Sequence, residues 1–292
     1  CSHSKNYQSI LIFLLMFTKF NLFVCLSVLS FTAPLFAQEN VPLSEKYTAH
    51  NKGKFFFFWG GNRESYSKSD IHFKGADYDF TLYNVEADDK PKGWHVDYIN
   101  PGRMTIPQTN FRMGYFVSDH YSIGIGVDHM KYVMTQNQSV AISGTYPSSY
   151  NGNQINNGIV DLTDESFLTF EHTDGLNFVH AEVSRFDDLS KIFKIKNTDK
   201  FQVNITEGIS TGLLYPKTNA QLLGKTRHDD FHVAGYGIGA KVGLNFTFFK
   251  HFFIQTELKG GYINMNDIQT SFDRADSASH FFFFFYKIIA FV

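Results

Sequence analysis

Seven charged side chains fall on the polar faces of segments that alternate with period two: Lys54, Arg112, Asp128, Glu182, Lys241, Glu257 and Lys259. If those faces converge on a narrow interior, four cations and three anions meet there, and an internal ion-pair network of structural role is expected. A charge-lined conducting path is the competing reading of the same residues. Ser184, His180 and Glu182 are the residue types of a hydrolytic triad. Neighbours at period two on one strand do not make a nucleophile held by a base, so these too are expected to fill the interior.

Metal chemistry has two candidates. His228 and His232 bracket Asp229 and Asp230, a spacing that presents two ligands, but no helix holds them and no third ligand is evident. Asp77, Asp79, Glu86, Asp88 and Asp89 make a second segment acidic, suited at most to weak calcium binding, because no Gly-centred twelve-residue loop is present. The Gly-x-Gly runs at 124–126 and 235–239 lie inside strand patterns and open no helix, so they do not cradle phosphate. No catalytic, cofactor-binding or metal residue is expected.

The elements that position these groups must first account for an excess of rings. Of 292 residues, 33 are Phe, 15 Tyr and 2 Trp, and only 18% are charged, against about a quarter in ordinary soluble domains. A net charge of −2 gives no basic footprint for nucleic acid, and two cysteines make no disulfide framework. Residues 10–37 are almost continuously apolar. As a membrane span the stretch is split by Lys19. As a secretory signal it has Lys19 in a basic leader, Leu22 to Phe31 as the apolar centre and Ala37 before the cleavage point. The signal reading is preferred: residues 1–37 form the signal region, 1–15 precede a natural start at Met16, and 38–52 are a short periplasmic lead. Cys1 and Cys25 both fall in the signal region, which fits export without disulfides.

Beyond residue 52 no helical period appears. Alternation predicts eight strands, near 53–66, 110–117, 121–128, 167–186, 201–215, 233–248, 252–263 and 280–292. The fourth needs a phase shift near Val179, and Glu207 falls on the apolar face of the fifth, which points to a bulge there or to a different register. Short links at 118–120 and 249–251 and a medium one at 187–199 alternate with long loops near 67–109, 136–166, 216–232 and 264–279. All long loops then lie at one end of an antiparallel meander. The expected fold is all-β, a transmembrane antiparallel up-and-down β-barrel of about eight strands over residues 53–292.

A soluble barrel alternates as well, but its wet face should be rich in Lys, Glu and Thr. Here the polar faces are mostly Gly, Asn, Ser and Thr, as a cramped lumen requires, and the apolar faces are large and aromatic, as lipid requires. Two rough girdles are expected. One comprises Tyr115, Tyr121, Phe186, Phe201, Phe246, Phe248 and Phe252, the other Trp59, Tyr66, Tyr132, Phe167, Tyr215 and Tyr262.

Residues 50–75 (HNKGKFFFFWGGNRESYSKSDIHFKG), 106–116 (IPQTNFRMGYF) and 125–134 (IGVDHMKYVM) resemble an outer-membrane β-barrel family of Gram-negative bacteria, similar to the small eight-stranded barrels of the OmpA and OmpX type. The resemblance covers roughly residues 50–280. It implies a place in the outer membrane of a Gram-negative cell, insertion by the barrel assembly machinery, contact with outer-membrane lipid, and no catalytic residue. The carboxyl end departs from the pattern, because Phe281 to Phe285 is a homopolymer. With Lys287 in the lumen, Phe281, Phe283 and Phe285 would crowd it, so a slipped reading frame is expected to have replaced the true last strand. The expected role is structural, adhesive or surface-interacting, with an extracellular ligand engaged through the long loops and no nucleic acid. A narrow pore for small solutes, or less readily a membrane-embedded lipid-modifying enzyme, are the alternatives.

Overall fold

Successive side chains of a strand point to opposite faces, so each strand reports its two surroundings separately. The computed structural model describes residues 51–91, 93, 108–150, 153–154, 158–225 and 230–291. The signal region, nearly all of the periplasmic lead, and His228 and Asp229 lie outside the described residues.

Eight strands form a closed ring: β1 (Phe55–Tyr66), β2 (Thr109–Phe116), β3 (Tyr121–Met134), β4 (Leu168–Asp188), β5 (Phe201–Pro216), β6 (Gly235–Phe248), β7 (Phe252–Gln269) and β8 (Ser277–Phe291). Each pairs antiparallel with the next, and β1 pairs with β8 to close the ring. Directly paired residues run from Phe55 through Tyr115, Ile123, Val183, Ile209, Ala240, Gly260 and Phe285, and return to β1 at Ser65. Ser65 is ten residues beyond Phe55 (65 − 55), and that offset is the stagger of the barrel. Ten over eight strands, at a rise of about 3.3 Å and a spacing of about 4.8 Å, tilts the strands by about 40°. The last strand is therefore a full member of the ring, and the expectation that residues 280–292 had lost their barrel pattern is corrected.

The outer surface carries an apolar belt. Phe57, Met113, Ile125, Val183, Ile209, Val242 and Leu258 are all exposed on it. On β1 the belt runs from Phe55 to Gly61 and gives way to exposed Arg63 and Ser65. Tyr115 and Tyr121 stand at one rim, Tyr215 and Tyr236 at the other, where amphipathic rings meet the membrane interface. The predicted girdles need pruning, because Tyr132, Phe167 and Phe186 are buried and Tyr66 packs inward on Tyr132. Seven of the ring strands are 12 to 21 residues long, more than the nine to eleven that span a membrane. The surplus rises beyond the belt at the long-loop end.

There the polarity of the strands inverts. On β4, Leu168, Phe170, His172, Leu176, Phe178, His180, Glu182 and Ser184 all point inward and are buried. The even-numbered face never changes, and the phase shift predicted near Val179 does not occur. What changes is the medium outside: against lipid the outer face is apolar and the inner one polar, whereas above the belt water lies outside and the apolar groups turn in. The backbone irregularity sits higher, between His172 and Leu176, where β4 carries two extra residues relative to β3 and Gly175 has φ +153°. Glu207 needs no bulge either. It lies outward in unbroken register, directly across from Arg185.

The Phe block follows the same rule. Phe281, Phe283 and Phe285 are exposed on the belt, while Phe282 and Phe284 are buried inside. Lys287 is on the outer face, not in the lumen, so the predicted crowding by the odd-numbered rings does not arise.

The long loops build a head above the belt. Ser69–Lys74 pairs with the start of β8 and with Asp79–Val85, which pairs in turn with Ser139–Thr145, and that with Ile159–Asp161. Asn219–Leu222 pairs antiparallel with the start of β4, and Ala87–Asp89 lies against the end of β3. Ile71, Phe73, Phe80, Leu82, Ile142, Leu168, Phe170 and Leu222 form a buried core inside this head. The loop expected at 264–279 is reduced to the link between Gln269 and Ser277, because β7 and β8 continue upward as part of it.

Candidate functional site

The stagger brings inward residues of six strands to one level. Asp128 on β3 is the hub. It accepts hydrogen bonds from Asn110 Nδ2 at 2.7 Å, Arg112 Nη2 at 3.2 Å, Lys259 Nζ at 2.7 Å and the Tyr286 hydroxyl, with His180 Nε2 at 3.1 Å. Glu182 on β4 receives Arg112 Nε at 3.1 Å, Lys241 Nζ at 2.6 Å and Ser184 Oγ at 2.9 Å. Glu257 on β7 receives Lys241 Nζ at 2.8 Å and Gln255 Nε2 at 2.5 Å. All six charged groups are buried.

Six of the seven predicted residues therefore converge, as three cations and three anions. Lys54 does not join them. It precedes β1 at the open rim, is exposed, and its Nζ reaches Asn51 Oδ1 at 3.4 Å. Its parity points inward, but the lumen has ended at that height and water is available. Its absence makes the network neutral, which buried ions require. Sequence reasoning missed Tyr286, which became legible only once Lys287 was placed outside, and Asn110 and Gln255, which are uncharged members of the same faces.

The small residues of the polar faces make room for this packing. A Cβ on Gly126 would lie 2.9 Å from the His180 ring and 3.0 Å from Arg112 Cγ, so the guanidinium and imidazole occupy the space that a side chain would take.

Rings flank the ions on both sides along the lumen. Toward the short turns, Phe56, Phe116 and Phe186 pack at centroid distances of 5.0–6.4 Å, and Arg112 stacks on Phe58 at 5.2 Å. Toward the head, Lys259 sits 5.1 Å from the centre of the Phe178 ring, and Phe178 and Phe284 follow at 6.4 Å.

The other candidates disperse. Asp79 pairs with His72 at 2.7 Å, Glu86 with Lys68 at 2.6 Å and Asp77 with Lys225 at 3.6 Å, and Asp88 accepts from Thr135 at 2.7 Å, whereas Asp89 alone of the five turns to the barrel wall, against Glu64 and Gln108. His232 places its two ring nitrogens against the carbonyls of Asp230 and Asp267. Among the described residues no three His, Cys, Asp or Glu converge as a metal site. Ser184 donates to Glu182, and His180 is turned to Asp128 and Lys259, so no serine–histidine pair forms.

A closed eight-stranded ring with a stagger of ten, a lipid-facing belt bounded by tyrosines, short turns at one end and a loop-built head at the other define the class: an outer-membrane β-barrel. No protein-family model matches the chain, and no curated protein matches it. Among solved structures, it is similar to the attachment invasion locus protein Ail of Yersinia pestis (9% identity, 82% of this chain and 99% of that one, TM-score 0.26). It is also similar to the outer membrane protein OprG of Pseudomonas aeruginosa (8%, 83% and 97%, 0.34) and to the outer membrane protein AlkL (9%, 87% and 94%, 0.34). At such identities and TM-scores these likenesses carry no argument, and the assignment rests on the ring, its stagger and its belt.

Proposed function

We propose that the protein is a closed, non-conducting outer-membrane barrel that displays a rigid extracellular head, with a structural, adhesive or surface-interaction role and no enzymatic activity. The observation that carries this reading is the lumen, filled in sequence by phenylalanines, a neutral ion network and a second aromatic layer. The charge-lined pore has less support, because every carboxylate of the network is already engaged by buried donors. The lipid-modifying alternative has less as well, because Ser184 and His180 serve different carboxylates. Two measurements on the refolded protein test the proposal. In planar bilayers it should show no unitary conductance. On whole cells, removing the hairpin Ser69–Val85 should abolish attachment to whatever surface the intact protein binds, with permeability unchanged. Stable conductance steps would overturn the closed-barrel reading.

A further inference from the structure

Above the ion network, the inner face of β1 carries Asn62 and Glu64, and Gln108 lies beside them just before β2. Asp89, from the short loop strand against β3, reaches the same place. Its Oδ2 accepts from the Glu64 backbone N–H at 2.9 Å, and its Oδ1 is 2.5 Å from Gln108 Nε2. The same Nε2 is 2.6 Å from Glu64 Oε2, which also accepts from the Tyr66 hydroxyl at 2.9 Å and the Lys131 N–H at 3.1 Å. One neutral amide nitrogen thus stands between two carboxylates. Glu64 is 7% exposed, Asn62 1% and Gln108 0%. Glu64 Oε1, Gln108 Oε1 and Asn62 Oδ1 are buried with no hydrogen-bond partner.

Two facing carboxylates and three orphaned oxygens are an unfavourable set as they stand, because a buried acceptor without a donor forfeits its solvation. Protonation satisfies a single oxygen. A hard divalent cation answers the whole set, since calcium takes six to eight oxygens from carboxylates, amide carbonyls and water in irregular geometry. The position of Gln108 Nε2, 2.5 Å from Asp89 Oδ1 and 2.6 Å from Glu64 Oε2, lies at calcium–oxygen distance from both carboxylates, and a swing of the Gln108 amide that vacates it and turns Oε1 toward it opens that position to the ion. Oxygen-only donors disfavour zinc and copper, and the uneven set disfavours magnesium, which demands an octahedron.

We propose that Asn62, Glu64, Asp89 and Gln108 form a calcium site that ties the first extracellular loop to the barrel wall, with water completing the shell. The ligands come from three separate stretches of chain, which is why no calcium-loop motif announces them.

The test uses the full chain refolded in detergent, stripped with chelator and titrated with calcium chloride, reading the temperature at which the folded band converts on a gel. Calcium should raise that temperature by several degrees, at about a tenth of the magnesium concentration needed for the same rise. Glu64→Gln and Asp89→Asn should each weaken the response at least tenfold, and the double variant should lose it. As a second readout, terbium emission excited through tyrosine should appear, fall on adding calcium, and be absent in the double variant. No calcium response in the unmodified protein, or one undiminished in the double variant, would sink the proposal. A double variant that is simply more stable, with calcium indifferent in both proteins, would assign the cluster to protons instead.

Discussion

His172 and His280, 108 residues apart in the chain, meet Nε2 to Nε2 at 3.3 Å within the loop-built head. Thr218 holds His172 Nδ1 at 2.8 Å, and the rings of Tyr132 and Phe170 pack around both imidazoles. Burial drives His172 down to about 3; burial, and then the neighbouring His172, drives His280 well below the ordinary histidine range. The unfolded chain therefore binds protons that the folded head refuses once the pH drops below about 6.5. Stability is full above that pH and declines as pH falls toward 3, by up to about 1.4 kcal/mol per pH unit for each imidazole. Urea unfolding between pH 7.5 and 5 should show this slope, and His280→Phe should remove about one histidine's share. An identical slope in that variant would place the acid sensitivity elsewhere.

Asp128 is the acceptor on which Arg112, Lys259 and Tyr286 depend. Asp128→Asn strands the buried Lys259 and takes from Arg112 one of its two close carboxylate partners, and should lower stability by about 3–5 kcal/mol. The double variant Asp128→Asn with Lys259→Met should lose less than the two single variants together, since the second change removes a charge that the first left unpaired. Lys54→Gln, by contrast, should change stability by less than about 0.5 kcal/mol. Equal losses at Lys54 and Asp128 in denaturant titrations would contradict the placement of Lys54 outside the network.

The ring and most of its lumen were legible because alternation survives wherever one face meets lipid and the other a packed interior. The errors share a cause. The phase shift assigned near Val179 and the luminal placing of Lys287 both assumed that apolar residues always face outward. On β4 that holds at Val179 and Val183, but Phe178 and Leu176 turn in because water replaces lipid at their height. Lys54 failed for the converse reason, being in phase with the lumen but below its end. Of the cluster around Glu64 only Asp89 was singled out, as part of the acidic segment; its partners were beyond reach, since Asp89 meets Glu64 through a loop strand whose pairing with β3 no local pattern encodes.

Neighbouring residues of the Phe block should respond unequally. Phe282 is buried against Tyr132 at 5.0 Å and Tyr66 at 5.5 Å, whereas Phe283 is 53% exposed on the belt. Phe282→Ala should cost about 3–5 kcal/mol, and Phe283→Ala less than half as much in lipid vesicles. Because a slip of one residue exchanges the two faces of a strand, reversed magnitudes would mean that β8 sits one residue out of the register described.

The turn between β6 and β7 is built from residues poorly suited to it. Phe249 and Lys250 have φ of 53° and 68°, and the His251 N–H donates to the Phe248 carbonyl at 3.1 Å, so a β-turn with two left-handed central residues lies within the three-residue loop 249–251. Both central residues need the left-handed region, where a side chain other than Asn or Gly costs about 1–2 kcal/mol. Phe248 pairs with Phe252 whatever the turn sequence is, and the one side-chain partner the change removes, the exposed Lys250–Asp199 ion pair at 2.9 Å, is worth at most about 1 kcal/mol. Phe249→Asn with Lys250→Gly should therefore stabilise the folded barrel by about 1–2 kcal/mol, read as a higher urea midpoint with unchanged slope. A lower midpoint would mean that the exposed Phe249 ring contributes more through contact with the membrane surface than its backbone loses in the turn.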